Sequence, residues 1–520
     1  MTTTADTSIQ LLKNSNQALG IGQFAVDFIS GKIGEPAQDV YDRTTLFFTD
    51  AVLCGLSAVA VKTNAPTVLR DEALSFKTRV GATVFGSNES VVPEKAILAN
   101  CAAVREWDSN GTNFGYNPEL GHTAGEFGHN DFYAVPIAAA QVMGLGGAQA
   151  LRGMVLLDEI RGRLAEVFSL KTYKIDHVVH GAIASAAVYG AMCGATPEQI
   201  ESAVGMTVAH FIPWRAIRAG GQLSDSKGSS AAMSTEVAIV SMKRAMNGFM
   251  GPRDIFRNPE AMFRQFEQTG GDSPFDLVFS HSGSDFAVMG MHFKIGLYEH
   301  QSAGALQGLL NLIEKHREIV SGINNIDVIK ITAYEPAFGI IGDPAKRDPK
   351  TRQSADHSMV YIVATMLRKA EELASVVGSS FFDFSNDEVW KRLMLTPYDF
   401  DLDAIQNVET RSIMETIFFE HGGNEYDEKY PDGIPTSVHI TMKDGNVFDS
   451  GLIMYPSGHA RNTTCNLQDI LHAKFAMLGE IAMDDPSVVV DRCNSIALLD
   501  SDAMQSIWNI ELADRPVFKE

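Results

Sequence analysis

From about residue 36 to residue 289 the chain repeats one pattern, apolar residues at a helical period broken by short polar loops. Within residues 36–56, Val40, Phe47, Phe48, Ala51 and Cys54 recur this way, with Thr44 in support. Pro93 suits the first turn of a helix running through Ile97 and Cys101 to Trp107. Residues 151–170 and 180–192 continue the pattern, and Thr196-Pro197-Glu198-Gln199 has the form of a capping box. A long helix over 227–247 ends at Gly248, with Gly251-Pro252 beyond it. Stripes of this kind are core-packing faces, so this part of the chain is expected to form a layered helical domain.

The texture changes near Met289. One more helix, over 299–317, precedes a β-branched run at 326–334 that reads as a strand. Val438, Ile440 and Met442 alternate before Asp444-Gly445, a hairpin turn signal, and the chain returns over 447–455. After Arg461 the pattern is helical again, over 467–478 and 504–512. At 520 residues two or more domains are expected. The simplest arrangement is multidomain: a large all-α helical domain, residues 1–289 completed by 462–520, with a smaller α+β lid domain, 290–461, inserted.

Composition narrows the partners. A formal charge of −22 excludes a general nucleic-acid binder, which needs a basic face. The same charge repels an anionic substrate, so a site for one must gather cations locally. No run of eighteen uninterrupted apolar residues appears, so no membrane partner is expected. Residues 1–10 carry neither a signal pattern nor transit-peptide character, which makes the cytoplasm the expected location. Cys54, Cys101, Cys193, Cys465 and Cys493 stand alone without a CxxC pair and are expected to be reduced thiols. The first three sit in apolar helical contexts, which favours burial over service to an iron–sulfur cluster.

Four segments gather polar groups where the apolar pattern breaks. The first is Arg105-Glu106-Trp107-Asp108-Ser109-Asn110-Gly111-Thr112 at a helix end, followed by His122 and by His129-Asn130-Asp131 in a glycine-rich stretch. Its plain alternative is a capped helix end, and its histidines match no strong zinc spacing. The second places His177 and His180 at the start of a small-residue helix, where the dipole favours a bound anion. A buried, hydrogen-bonded histidine is the competing reading. In the third, Gly220-Gly221-Gln222-Leu223-Ser224-Asp225-Ser226-Lys227, a glycine loop delivers a lysine to the mouth of a helix, with Arg215 and Arg218 upstream. That suits a carboxylate, although an exposed loop lysine is more usual; GxxxxGK[ST] is absent. The fourth, Lys294 to Ser302, falls at the expected domain junction and presents His300 near a helix start.

Taken in order, these segments resemble the MmgE/PrpD family over residues 39–461. The resemblance rests on Trp107-Asp108-Ser109-Asn110-Gly111-Thr112, Glu126-Phe127-Gly128-His129, Asp176-His177, Ser226-Lys227, Phe293-Lys294 through His300, Ala355-Asp356-His357-Ser358-Met359, the strand before Lys443-Asp444-Gly445, and Tyr455-Pro456-Ser457-Gly458-His459-Ala460-Arg461. It implies a homodimer, a site between a helical domain and a lid, and no required metal or organic cofactor. The active-site positions it implies are Asp108, Thr112, His129, His177, Lys227 and His300, with Tyr334, Arg215, Arg218 and Ser226 as substrate-binding candidates. The family commonly has an aspartate where Gly111 stands here and a shorter loop than 113–127, so this longer loop is expected to enter the site.

The reaction the resemblance implies is loss of water from a 2-hydroxy tricarboxylic acid, 2-methylcitrate giving 2-methyl-cis-aconitate. The partner is then a small di- or tricarboxylate. A proton beside a carboxylate is weakly acidic, so fixed cations must stabilise the carbanion. Lys227 and His177 are expected to hold substrate carboxylates, Asp108 and His129 to move protons, and His300 to serve as a second acid or base. Lys227 is expected to face a solvent-filled cleft and to matter little for folding. Decarboxylation of cis-aconitate and epimerisation of an iminodisuccinate-like compound could use the same groups, and a non-enzymatic carboxylate-binding protein could share the cationic pocket.

Overall fold

The computed structural model describes residues 7–219 and 222–520 and is mostly helical with small sheets. Gly220 and Gly221, the start of the glycine loop, lie outside the described residues. The Gln38–Ala60 helix is long and apolar enough by length and composition to cross a membrane, but it is buried continuously over 47–58 as the axis of the helical part. It packs against the Pro93–Arg105, Gly147–Val167 and Leu467–Ala482 helices. The Val178–Met192 helix is buried along its whole length. Its small residues allow close approach: a Cβ at Gly181 would lie 2.0 Å from the Phe132 ring. Large neighbours therefore fill what the helix itself leaves out.

Local signals act where the sequence places them. Thr196 and Gln199 form a reciprocal capping box at the Pro197–His210 helix, and Pro93 occupies its first-turn position. The expected 227–247 helix is two pieces, a single turn at Asp225–Gly228 and then Ser230–Met246. That break leaves Ser226 exposed and turns Lys227 inward.

The second part carries a four-stranded sheet ordered Ile417–His421, Ile326–Ala333, Thr436–Met442, Val447–Asp449. The first pair is parallel and the others antiparallel. A parallel pair needs a long crossover, and the chain from 334 to 416, including the Met359–Val377 helix, supplies it. The expected hairpin turns at Asp444-Gly445, with Gly445 at φ 91°. The Ala303–Lys315 helix covers the Thr436–Met442 strand.

After Arg461 the Leu467–Ala482 and Ser487–Asn494 helices pack on Gln38–Ala60, and the Ser501–Gln505 turn packs on Ala134–Met143. The helix expected over 504–512 is absent. Its apolar spacing belongs to single anchors: Ile507 and Trp508 are buried, and Trp508 stacks edge-on against Phe85 at 4.7 Å. Phe518 meets Trp107 in the same way.

One ion pair fastens the C-terminal segment to the helical core. Lys474 Nζ lies 2.6 Å from Asp50 and donates to Ser109 O at 2.6 Å, all three residues being fully buried. Lys474→Met leaves the Asp50 carboxylate uncompensated, which typically costs about 3–5 kcal/mol. Urea unfolding should show that loss, and Lys474→Met with Asp50→Leu should recover most of it. A Lys474→Met protein of unchanged stability would contradict this account.

Candidate active site

The site begins at the end of the Pro93–Arg105 helix. Three residues on, Asp108 takes φ 50°, a left-handed backbone that a side chain adopts only under local constraint. The constraint is visible. Its buried carboxylate accepts from Arg105 and Lys294 in close contacts and from Lys227 Nζ at 3.1 Å. His357 Nδ1 lies 3.3 Å away, and Lys294 also donates to the Asp108 carbonyl at 3.0 Å. Burial alone would raise Asp108, but Arg105, Lys227 and Lys294 outweigh it and hold the carboxyl well below its ordinary value. One carboxylate cannot neutralise three cations. Burial, with Arg105 adding to it, accordingly lowers Lys294 to about 8 despite the Asp108 contact.

A second carboxylate completes this hub. Asp356 accepts from Lys227 Nζ at 2.9 Å and Arg352 at 3.1 Å, and His357 Nδ1 lies 2.7 Å from it. Among the described residues, Asp108, Asp356 and His357 are the one group of acidic, His or Cys side chains close enough to share a metal ion. The Lys227 ammonium already bridges the two carboxylates. His122 and His129 do not converge with Asp131: His122 lies 3.5 Å from Glu166, while Asp131 accepts from Asn110. All five cysteines are free thiols, and none belongs to this group.

Two short strands carry the histidine face. Thr112–Asn113 pairs with Gly128–His129, and Thr112 exchanges backbone hydrogen bonds with His292. The Thr112 hydroxyl donates to Gly128 O at 2.9 Å, so its visible task is to fix the strand that presents His129. His129 Nδ1 lies 3.5 Å from Lys294 Nζ, and its ring is 5.3 Å from that of His177. His177 immediately precedes the Val178–Met192 helix, as expected from sequence, with Asp176 beside it held by Arg218. Arg218 is thereby committed to Asp176. His180 takes the plain role, its Nε2 3.0 Å from Phe168 O.

His300 opens the Glu299-capped turn before Ala303–Lys315 and stacks on His292 at 5.4 Å. Phe114 packs against His300 and Phe127 against His177, so the stem of loop 113–127 walls the histidines. Its tip, at 118–119, is exposed. Gly111 has a steric reason: a Cβ there would come within 2.4 Å of Phe47, whose ring stacks on Phe293 at 3.8 Å. Tyr334 stacks on Tyr430 at 4.9 Å.

Among the described residues, several buried polar atoms here have no hydrogen-bond partner: both ring nitrogens of His177 and of His300, Arg105 Nε and Nη2, Arg161 Nε and Nη1, Arg215 Nη1, and the Tyr334 hydroxyl. Each such group ordinarily costs about 1–3 kcal/mol unless a ligand or ordered water satisfies it, which makes this concentration the candidate site. Burial holds His129, His177 and His300 well below the ordinary imidazole value, with neighbouring cations adding to it. The arrangement offers neutral imidazoles and fixed positive charge. Arg105, Arg161, Lys294 and the Asp356–His357 pair were not singled out individually from sequence; buried arginines inside helical stripes look like solvated faces.

The structure is therefore a two-part, mostly helical protein with a buried cluster of cations and histidines. The chain belongs to the MmgE/PrpD family: its N-terminal domain model matches residues 23–273 and its C-terminal domain model residues 298–391. It is 24% identical over 433 residues to the 2-methylcitrate dehydratase of Escherichia coli strain K12, covering 81% of this chain and 82% of that one. It is 22% identical over 459 residues to alkylcitrate dehydratase phiI of a fungal species, covering 86% and 85%. The mitochondrial 2-methylcitrate dehydratase of Yarrowia lipolytica is 27% identical over 314 residues, covering 59% and 55%.

Lys227 departs from its expectation in one respect. It is 1% exposed and bridges two buried carboxylates, so it faces no solvent-filled cleft. Lys227→Ala should lower stability by about 3–5 kcal/mol, because two buried carboxylates lose their shared cation. Thermal and urea unfolding of the variant test this. A change within about 0.5 kcal/mol, the size of an ordinary surface substitution, would refute it.

Proposed function

We propose that this chain is a hydro-lyase that removes water from a 2-hydroxy tricarboxylic acid, with 2-methylcitrate as the first substrate to test. The observation that carries the reading is the set of guanidinium donors of Arg105 and Arg161 that make no hydrogen bond, beside His177, whose two ring nitrogens also make none, although Asp131 lies 3.7 Å from Arg105 Nε and Asp176 3.4 Å from His177 Nδ1. A Cβ at Gly128 would lie 3.2 Å from His177 and 3.5 Å from Arg161 Nη1, so the two groups flank one glycine. Carboxylate oxygens meet the guanidinium donors, and the imidazoles then face the carbon next to a carboxylate. The dehydratase names of the relatives support the same reaction type.

In this reading an imidazole, His177 or His129, takes the proton from the carbon beside a carboxylate. The electron pair left behind forms the carbon–carbon double bond. The hydroxyl departs from the neighbouring carbon as water, taking a proton from the neutral His300 as that ring receives, on its other nitrogen, the proton held by the imidazolium of the first step. Lys294 and Arg105 stabilise the charge that builds on the carboxylate. Asp108, surrounded by cations, is assigned to holding Lys227 and Lys294 in place rather than to moving a proton. The substrate's own negative charge raises the depressed imidazoles toward a useful basicity when it binds. Lys227 supplies the cation shared by Asp108 and Asp356, so the chemistry is assigned to side chains alone.

The direct test is incubation with 2-methylcitrate, citrate, cis-aconitate and iminodisuccinate, with products followed by NMR. Formation of 2-methyl-cis-aconitate and water is expected. Loss of carbon dioxide from cis-aconitate, or inversion of iminodisuccinate, without dehydration would overturn the reading.

The pH dependence follows from Lys294. It must carry its proton to stabilise the carbanion, so kcat/KM should fall above about pH 8, tenfold per pH unit. Anionic substrate favours the ammonium, so the alkaline limb of kcat should lie at higher pH than that of kcat/KM. Because burial holds the histidines low, no acid limb should appear near 6.5. Coincident alkaline limbs, or an acid limb at 6.5, would remove Lys294 or the neutral histidines from these roles.

A further inference from the structure

The groups assigned to chemistry are nearly sealed from solvent: His129, His177, His300 and Lys294 are each at most 5% exposed. A ligand therefore needs a route through the surrounding wall. A cavity of about 170 Å³ touches that wall, lined among others by Phe114, His292, Asp432, His459 and Arg461. The Phe114 and His292 rings each lie 5.4 Å from the His300 ring. Two side chains thus line the cavity and also touch the site.

The cavity has open polar atoms. His459 Nδ1 accepts from Arg461 N at 3.1 Å and His292 Nδ1 from Ala460 N at 2.9 Å, so each neutral ring carries its proton on Nε2. His459 Nε2 and the Oδ1 of Asn113, another lining residue, are buried and make no hydrogen bond among the described residues. An open donor and an open acceptor beside one cavity suit a polar occupant. Its mouth is held by an ion pair: Arg461, 51% exposed, pairs with Asp432 and lies over the Tyr455 ring at 5.1 Å. The Tyr455 hydroxyl donates to Asp432 at 2.7 Å. Arg461 is the one lysine or arginine among the described lining residues, and in a chain of charge −22 it draws anions to this opening. Two residues before Asp432, the Tyr430 hydroxyl donates to Gly125 O at 2.8 Å, so the same short segment also fastens loop 113–127.

We infer that this cavity is the vestibule through which a ligand enters the histidine site, and that the Asp432–Arg461 pair is its gate. An anion exchanges onto Arg461 as Asp432 releases it, passes His459 and Asn113, and reaches His300 when the Phe114 and His292 rings part. Asn113 and Phe114 belong to the stem of loop 113–127, so the longer loop forms one side of the passage. The inference rests on the proposed function for the charge of the ligand alone, and the route is testable without any substrate.

The experiment plugs the mouth and measures access with diethyl pyrocarbonate, an uncharged reagent that acylates neutral imidazole, mapping the modified histidines by mass spectrometry. Gly290 lines the cavity and is exposed, and a Cβ there meets nothing within 4 Å, so Gly290→Cys in the full chain offers a thiol at the mouth. Labelling that thiol with a bulky methanethiosulfonate should slow modification of His177 and His300 about tenfold or more, because buried rings react only through openings. Dithiothreitol should restore the rate. The exposed His472 should react equally throughout, and wild type taken through the same labelling should not change. An unchanged His300 rate with the plug in place, or no modification of His300 without it, would overturn the vestibule. Asp432→Asn keeps a partner for Tyr455 but weakens the ion pair, so His300 should react roughly twofold to fivefold faster, the size of an exposed pair. An unchanged rate there would remove the gate. A plug that shields His300 in a protein that dehydrates nothing would defeat the proposed reaction and leave the vestibule standing. Dehydration at full kcat/KM by the labelled Gly290→Cys protein would do the reverse.

Discussion

The structure is organised around the counterion problem at Asp108. Three cations from three separate stretches, Arg105, Lys227 and Lys294, converge on one buried carboxylate whose backbone is held at positive φ. Buried charge is tolerated only when paired and hydrogen-bonded. Each of these cations therefore fixes the segment that carries it: the end of the Pro93–Arg105 helix, the turn before Ser230–Met246, and the irregular run ahead of His300. The same network that holds the fold together here holds the chemistry. Asp356 shares Lys227, and Asp131 lies 3.7 Å from Arg105 Nε, yet the Nε and Nη2 of Arg105 still make no hydrogen bond among the described residues. Those open donors are what an anionic ligand would meet.

The hub also explains how the two parts of the molecule are registered. Arg352 reaches back to Glu106, one residue past the helix end, and pairs with Asp356, which shares Lys227 with Asp108. From the other side, Lys474 joins the C-terminal helices to Asp50 and to the backbone of Ser109. The segment from Arg105 to Asn110 is thus bound to the remainder of the chain by charged groups more than 100 residues away in sequence. Apolar packing alone would fix the distance between layers but not the register of individual side chains; charge-assisted hydrogen bonds are directional and do.

What was legible in the sequence was what local physics decides. Helical period, the Thr196 capping box, Pro93 at a first turn and the Asp444-Gly445 hairpin all act within a few residues, and the structure has each of them. Where a pattern was read without its tertiary context it misled. Met504, Ile507 and Trp508 are spaced like one helix face, but Met504 belongs to the short Ser501–Gln505 helix while Ile507 and Trp508 are separate buried anchors in the irregular segment after it. Arg105, Arg161 and Arg352 carry no local signal of burial, because nothing within a helix's own sequence says that an arginine will face a carboxylate from another part of the chain. Lys346 is the plainest case: Pro344-Ala345-Lys346-Arg347-Asp348-Pro349 has the composition of an exposed turn. Its burial follows from Gln222 and Arg347 fastening the turn at both ends.

The acidic surface and the cationic interior are two sides of one arrangement. With 64 acidic against 42 basic side chains the chain repels anions at long range, yet screening limits that repulsion to roughly 8–10 Å at ordinary ionic strength. Inside, where water is excluded, the same charges act with far less attenuation, so a few unbalanced cations dominate what an anion meets. Phe114, Phe127, Phe47 and Phe293 serve that end. They pack beside the histidines and the Asp108 segment and keep the surroundings apolar, which is why burial is the first cause of the depressed His129, His177, His300 and Lys294. Gly111 belongs to the same wall, since any larger residue would displace Phe47 from its stack on Phe293. An aspartate at that position would add negative charge next to Asp108 and open the apolar side together. Glycine adds no charge beside Asp108 and keeps the wall closed, so at this position packing and the electrostatics of the cluster are served together.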